Sequence, residues 1–258
     1  MYRKQSTIAP KGSSKDFSYG VDVYIKETEN DQTLTTIEKA ARISTASNDI
    51  RQYINQTKII SSALSQLAPS ADAKYLDMDW LAFFMEYAKN IGKEEVQEFW
   101  AKLLAKKING EDGITKKLIN ILAVIGDDDI DTFCKICSMT FDSAARERSK
   151  YPFIYIKEHS QYYNSQNIRR YHLRSLADLG LIHYDLNGFV LPKKVPLLKY
   201  HDIKIRLTAD TRIDTGNIVL TPAGKILYDM TEKVFNDKFI FICKRIWDDK
   251  NIQYEIIN

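Results

Sequence analysis

The sequence predicts a mostly helical α+β protein, in which an N-terminal helical bundle precedes a winged-helix-like α+β domain. Two observations lead to this fold class. Between residues 33 and 142, apolar residues recur at the spacing of amphipathic helices. Over residues 143–258, short segments of alternating apolar and polar residues, typical of strands, are mixed with shorter helical segments.

The composition is that of a globular protein with modest net charge. The 258 residues include 44% hydrophobic and 28% charged residues, and the net charge is +3, so any nucleic-acid surface has to be a local patch. No apolar run approaches the roughly 18 residues that span a bilayer. The polar start predicts no secretory signal. Three cysteines argue against a disulfide framework, and we expect a cytoplasmic protein without membrane contact.

Residues 1–32 are predicted to form a flexible arm. They contain Lys, Ser, Gly and Pro without a sustained apolar period, and such a segment buries too little apolar surface to offset its ordering entropy. Within the arm, the stretch YGVDVYIKE is predicted to be a short edge strand.

The predicted bundle, residues 33–142, begins with one long helix or two, because STASND in the middle consists of poor helix formers. The clearest signal follows in DMDWLAFFMEYA, with Asp77 or Asp79 as N-cap. The next helix, EEVQEFWAKLLAKKI, has an acidic start and a basic end, which suit the helix dipole. Two shorter helices, ITKKLINILAVIG and DDDIDTFCKICSMTF, complete the bundle, and the short loops predict antiparallel neighbours.

Aromatic residues at helical spacing are predicted to fill the core of this bundle. They lie on either side of a short loop, so their side chains can meet across it. We interpret them as core residues and not as a ligand-binding box: Trp80, Phe83, Phe84, Phe99 and Trp100.

The second domain, residues 143–258, starts with a predicted charged connector, FDSAARERSKY. The strand candidates are PFIYIKE, LIHYD, KIRLTAD and NIVL. One helix, SQNIRRYHLRSLADLG, ends at Gly180. Another, TPAGKILYDMTEKVF, starts with Thr221 as N-cap and Pro222 at the first helical position. The segment FIFICKRIWDDKNIQYEII is predicted to be a helix followed by a strand.

The order helix, strand, wing, strand and T-P-x-G helix resembles that of winged-helix proteins of the transcription-regulator type. Four residues of the first helix share the face opposite Ile168, and their chemistry suits phosphates and base edges. These candidate nucleic-acid-binding residues are Asn167, Arg170, Tyr171 and Arg174. The alternative is a packing module whose exposed helix face is polar for solvation. Two features depart from the regulator pattern. The segment before this helix, PFIYIKE, is predicted to be a strand, although regulators have a helix there. The wing extends from Asp185 to Asn217.

Other reactive residues are predicted to have structural roles. Cys134 and Cys137 lack the second ligand pair of a zinc site and are interpreted as semi-buried thiols. The acidic run from Asp127 to Asp131 precedes a helix, where carboxylates satisfy free amides, and this interpretation is favoured over a magnesium site. T-P-A-G-K lacks the spacing of a phosphate loop. We expect no catalytic residue, metal or cofactor.

The middle helices of the predicted bundle are similar in sequence to helices of other proteins. DWLAFFMEYAKNI, EEVQEFWAKLLAKKI and ITKKLINILAVIGDDDIDTFCKI resemble uncharacterised bacterial domain-of-unknown-function proteins with a W-A-K-L-L-A helix. The alpha-type abortive-infection proteins have a similar helix, and in both groups the second half ends with L-G-L-I and L-T-x-x-G-x-x-L, as here. The resemblance covers residues 77–230 and implies a role in restricting phage growth. It supplies no catalytic residues.

Three functions follow from these observations as hypotheses. The first is a non-enzymatic bacterial interaction protein with a protein partner or a second copy of itself, acting in phage defence. The alternative is a DNA-binding winged-helix regulator that uses the four candidate residues. A second alternative is a metal-dependent nuclease built on the acidic run.

Overall fold

The computed structural model describes residues 14–72, 76–143, 150–152, 161–191, 197–209 and 213–257. Within these ranges the chain is α+β and mostly helical. The helices are α1 (Ser14–Asn30), α2 (Thr36–Leu64), α3 (Met78–Ala88), α4 (Glu94–Ile108), α5 (Lys116–Val124), α6 (Asp127–Ser138), α7 (Gln161–Ser165), α8 (Arg170–Asp178), α9 (Pro222–Met230) and α10 (Asp237–Asp249).

The described strands form two antiparallel sheets. A five-stranded sheet has the order β2-β1-β4-β5-β7, and a separate ribbon pairs β3 with β6. The strands are β1 (Thr140–Ser143), β2 (Lys150–Pro152), β3 (Ile182–Val190), β4 (Leu197–Tyr200), β5 (Ile203–Thr208), β6 (Asp214–Leu220) and β7 (Gln253–Ile257). The hairpin β4–β5 is therefore inserted in the chain between the two strands of the ribbon.

The chain divides into two compact units. The first comprises the residues up to Gln66 together with Met85–Leu104, and the second comprises Leu67–Phe84 and the residues from Ala105 onward. The division falls within α3 and α4, so each of these helices contributes to both units.

In the first unit, α2 is one continuous helix, which decides between the two predicted arrangements. A capping box starts it, because the Thr35 N–H donates to Glu38 Oε2 at 2.8 Å and Thr35 Oγ1 accepts from the Glu38 N–H at 3.3 Å. Farther along, a buried amide pair ties α2 to α4, since Gln97 Nε2 donates to Asn55 Oδ1 at 3.1 Å. Gln97 Nε2 also donates to the Ile91 carbonyl oxygen at 2.7 Å.

The prediction that YGVDVYIKE forms an edge strand is wrong, because these residues lie in α1. Val21, Ile25 and Thr28 are its more buried side chains, and they recur every three to four residues. That period places them on one side of a helix that packs against α2. Packing against a partner helix therefore overrides the strand propensity of Val, Tyr and Ile.

In the second unit, an aromatic cluster forms part of the core between the five-stranded sheet and α10. The Phe141 ring centroid lies 5.1 Å from that of Tyr200, 5.6 Å from that of Phe239 and 6.1 Å from that of Trp247. The Tyr200 hydroxyl donates to the Ser138 carbonyl oxygen at 2.7 Å and accepts from the Asn236 N–H at 3.2 Å. This hydroxyl links the end of α6 to the start of α10.

Most predicted elements of this half are confirmed. LIHYD, KIRLTAD and NIVL fall in β3, β5 and β6, and the final segment is α10 followed by β7. The prediction of a connector at FDSAARERSKY is wrong at both ends of this segment. Those residues form the antiparallel strand pair β1–β2. The predicted strand PFIYIKE, apart from Pro152 in β2, lies outside the described residues.

Candidate nucleic-acid interface

A short helix, a tight turn and α8 build the candidate site. The sequence predicts one helix from Ser165, whereas α7 ends at this residue and α8 begins at Arg170. Between them, Asn167 has a φ of +58°, in the left-handed region that Asn tolerates. The Ile168 N–H donates to the Tyr163 carbonyl oxygen at 2.8 Å. Two helices joined by a four-residue turn result, an arrangement shared with helix-turn-helix motifs.

The four predicted site residues are all exposed on this motif. Arg170, Tyr171 and Arg174 lie on the first two turns of α8, and Asn167 lies in the turn before it. The Tyr171 ring centroid is 4.0 Å from that of His172, so this ring rests against a buried neighbour although 60% of Tyr171 is exposed. Two guanidinium groups one turn apart, with a phenol and an amide beside them, can donate to phosphates and base edges.

The opposite side of α8 is fixed in the protein core. Leu173 and Leu176 are fully buried, and Ile168 anchors the preceding turn at 2% exposure. The Arg169 N–H at the helix N-cap donates to Nδ1 of the buried His172 at 3.2 Å. A rigidly held helix can present side chains in a fixed geometry, which is a requirement for recognition.

The end of α8 is locked to the start of α9. Gly180 has a φ of +79°, and the Leu181 N–H returns to the Leu176 carbonyl oxygen at 2.9 Å, as at glycine-terminated helices. Thr221, confirmed as the N-cap of α9, accepts from the Gly224 N–H at 3.0 Å. The same hydroxyl donates to the Gly180 carbonyl oxygen at 2.7 Å. The T-P-A-G segment is thus a structural junction.

Among the residues that the structure describes, the acidic run does not converge with other potential metal ligands. Asp127, Asp128 and Asp129 form the first turn of α6, as predicted, and Asp131 pairs with Lys135 one turn later. Among the described residues, no three or more His, Cys, Asp or Glu side chains form a group that could hold a metal ion. The nuclease alternative stays a prediction, and its test is magnesium-dependent cleavage that Asp129→Asn abolishes.

The three cysteines are free thiols. Cys137 and Cys243 are buried, and Cys134 is partly buried, as the sequence predicts for its CxxC pair. Burial, with a smaller contribution from Asp131, raises the pKa of the Cys134 thiol. A raised thiol pKa makes this side chain a poorer nucleophile and metal ligand at neutral pH.

The first unit contains an open groove. It lies between α1 and α2, has a volume of about 430 Å³, and is lined by Tyr24, Ala41, Arg42, Thr45, Ala46 and Asp49. One arginine and one aspartate are its charged residues.

Within the described residues, no helix has both the length and the apolarity needed to cross a membrane.

The second unit carries further cations that the sequence patterns do not indicate as site residues. Arg169 is exposed beside Arg170, and the repeated arginine was a local signal for it. Lys117 Nζ lies near the C-terminal end of α8, 3.7 Å from where a Cβ on Gly180 would be. Lys199 and Lys204 are exposed and face each other across β4 and β5. The position of Lys117 near Gly180 joins distant parts of the chain, and the opposition of Lys199 and Lys204 depends on the register of the β4–β5 hairpin, so apolar periodicity predicts neither.

Comparison with known proteins places the chain in a family. A family model described as a protein of unknown function, DUF2806, matches residues 39–243. The chain belongs to the DUF2806 family. The match runs from α2 into α10 and so includes the candidate interface, and it confirms the expectation of a domain of unknown function. No curated protein and no solved structure matches the chain.

Proposed function

We propose that this DUF2806 protein is a non-enzymatic binding protein that contacts duplex nucleic acid through α8. The observation that carries the proposal is the exposed face of Arg170, Tyr171 and Arg174 on a helix whose other side is buried. The order of α7, α8, β3, β6 and α9 along the chain, with β4 and β5 inserted, resembles that of winged-helix proteins and supports the proposal. The short α7 also supports the proposal, because it supplies the preceding helix that the sequence pattern lacks.

Duplex binding at graded salt concentration tests this proposal. Fluorescence anisotropy with a labelled 30-base-pair duplex of mixed sequence compares wild type with Arg170→Gln/Arg174→Gln. We expect wild type to bind at low salt and the double variant to bind more weakly, because phosphate contacts release counterions.

A matched control removes the same charge elsewhere in the second unit. Lys238 and Arg245 are exposed on α10, so Lys238→Gln/Arg245→Gln lowers the net charge equally without touching α8. This control is expected to bind like wild type. Equal weakening in both double variants would assign the effect to overall charge, and no binding by wild type at low salt would refute the proposal.

The biological setting that we propose is bacterial defence against phage. Its support is the resemblance of the middle helices to alpha-type abortive-infection proteins, including the W-A-K-L-L-A run of α4. That run is mostly core, since Trp100, Ala101, Leu103, Leu104 and Ala105 are buried. Plating efficiency of a phage panel on cells with and without the gene tests this role, and an unchanged efficiency for every phage counts against it.

We also propose that the protein acts together with a protein partner or with a second copy of the chain. Helix-turn-helix proteins commonly bind two half-sites as symmetric dimers. Light scattering with and without duplex measures this directly, and a dimer on duplex is expected to have twice the protein mass of the 29.8 kDa chain.

A further inference from the structure

The first half of α2 packs against α1 and leaves much of its surface exposed. No residue of α2 before Asn55 is buried, whereas Asn55, Ile59 and Ala63 in its second half are buried. Among the described side chains of α1, Thr28 is the one that is buried. Helices in proteins owe most of their stability to packing against other elements. These two helices therefore leave room for a further helix to cover them.

The open groove between α1 and α2 lies on this surface. Its volume is about 430 Å³, and the small side chains of Ala41, Thr45 and Ala46 form part of its lining. Tyr24 of α1 adds an aromatic ring and is 40% exposed. Small side chains at a contact allow two helix axes to approach closely. The shape of the groove therefore suits a helix.

The two charged residues of the groove, Arg42 and Asp49, lie on the same side of α2. Seven residues are nearly two full turns, and they separate the two positions by about 10 Å along the helix axis. Both residues are exposed, and within the described part of the chain neither forms an ion pair. One charge of each sign selects neither a polyanion nor a polycation. The groove suits a partner that presents the opposite order of charges at the same spacing.

The acidic neighbours of Arg42 in its own chain are engaged by other groups. Arg42 interacts electrostatically with Glu38 and with Asp31. Glu38 Oε2 accepts from the Thr35 N–H at 2.8 Å and from the Thr35 hydroxyl at 2.7 Å. Asp31 Oδ1 accepts from the Thr33 hydroxyl at 2.6 Å. Because a guanidinium group has five N–H donors, Arg42 can still bind an acceptor from another chain.

A second copy of α2, in antiparallel orientation, has the complementary order of charges. Arg42 lies three residues before Thr45, and Asp49 lies three residues after Ala46. A two-fold axis between Thr45 and Ala46 therefore places Arg42 of each copy opposite Asp49 of the other. In such an isologous interface every contact occurs twice, so two ion pairs form around the small side chains at the axis.

We infer that the α1–α2 groove is a self-association surface, on which α2 of a second copy packs antiparallel and pairs its Asp49 with Arg42. This inference rests on the second copy that the proposed function includes, and it does not depend on duplex binding by α8. The groove belongs to the first unit, whereas α8 belongs to the second.

Sedimentation equilibrium of the full chain measures the dissociation constant of the dimer. It compares wild type, Arg42→Glu, Asp49→Arg and the double variant Arg42→Glu/Asp49→Arg. Wild type is expected to reach twice the mass of the 29.8 kDa chain. Each single variant is expected to raise the dissociation constant about tenfold or more, because two attractive contacts become two repulsions. The double variant exchanges the charges and is expected to restore the wild-type constant.

An equimolar mixture of the two single variants tests the pairing between copies. Arg42→Glu has two acidic groups at these positions, and Asp49→Arg has two basic groups. A mixed dimer regains both ion pairs, although neither variant is complementary to itself. The mixture is therefore expected to form a heterodimer with near wild-type affinity. An effect confined to one chain cannot be rescued by a second chain.

Arg51→Glu is the matched control. Arg51 is exposed nine residues after Arg42, which is half a turn around the helix, and it donates to Asn48 Oδ1 at 2.7 Å. The same change of charge on the opposite side of α2 is expected to leave the dissociation constant unchanged. Arg42→Gln and Asp49→Asn, measured alongside, are expected to weaken the dimer without introducing a repulsion. Circular dichroism of every variant measures helix content.

The remaining outcomes separate the inference from the proposed function. A wild type that stays monomeric in solution overturns the inference, and a dimer that then forms on duplex leaves the proposed second copy standing. A dimeric wild type with unweakened single variants also overturns the inference and assigns the second copy to another surface. Weakened single variants that neither the mixture nor the double variant restores overturn the antiparallel pairing. Duplex binding by wild type, measured on the same samples, tests the α8 proposal separately.

Discussion

The Thr221 hydroxyl donates to the Gly180 carbonyl oxygen across 2.7 Å, and this bond holds the start of α9 against the end of α8. The Thr221 Oγ1 atom also accepts from the Gly224 N–H at 3.0 Å, so one side chain caps one helix and fixes another. Because α8 carries the candidate interface, the orientation of its exposed face depends on this junction.

Thr221→Ala is expected to lower the free energy of unfolding by about 1–2 kcal/mol, because it removes an N-cap and a buried hydrogen bond together. Urea denaturation measures the change. Thr231→Ala is the control, since the Thr231 hydroxyl bonds to the Leu227 carbonyl oxygen at the other end of α9. A loss for Thr221→Ala no larger than that of the control would contradict the account of the junction.

Gly224→Ala is expected to destabilise the second unit because there is no room for a methyl group. An added Cβ would lie 2.0 Å from the Leu181 carbonyl oxygen, which is backbone and cannot rotate away. Overpacking of this kind costs about 1–3 kcal/mol. Gly20→Ala in α1 is the matched control, since a Cβ there meets nothing within 4 Å and is expected to stabilise the helix by about 0.5–1 kcal/mol. Equal melting temperatures of the two variants would refute this packing.

Trp100→Ala is expected to cost about 3–5 kcal/mol by opening a cavity in the core. Trp100 is 1% exposed, as the interpretation of the aromatic stripe requires. Phe241→Ala on α10 is the control, because 62% of Phe241 is exposed and its removal leaves no cavity. An unchanged melting curve for Trp100→Ala would contradict the position of this side chain in the core.

Stability is expected to fall at alkaline pH. Burial raises the pKa of the Tyr200 hydroxyl above its ordinary value of 10, so this group stays protonated in the folded protein while the unfolded chain releases its proton. Its contribution is fully present below pH 10 and is lost as the pH rises toward the folded-state pKa. Tyr200→Phe removes this titration, and its stability is expected to decline less steeply above pH 10. Parallel declines in urea midpoint for the two proteins would exclude Tyr200 as a source.

Local signals account for the features that the sequence predicts correctly. Thr221 and Pro222 identify the start of α9 because a cap and a first helical position are properties of adjacent residues. Gly180 likewise marks the end of α8 by its left-handed conformation. The outward face of α8 follows from helical periodicity, which places Arg170 and Arg174 opposite the buried Leu176.

Strand register and backbone conformation account for the features that the sequence does not predict. The opposition of Lys199 and Lys204 depends on strand register, and the β1–β2 pair joins the two ends of a segment that reads as a connector. The break between α7 and α8 depends on the left-handed Asn167, a conformation that several sequences tolerate. In each case the deciding feature is a strand register or a backbone conformation, which the spacing of apolar residues does not encode.

The salt dependence of duplex binding by Arg170→Gln/Arg174→Gln tests the central claim most directly. If the two guanidinium groups contact phosphates, the slope of log affinity against log salt concentration falls by about 1.8 relative to wild type. A slope equal to that of wild type, measured on a folded double variant, would contradict the assignment of α8 as the nucleic-acid-binding helix.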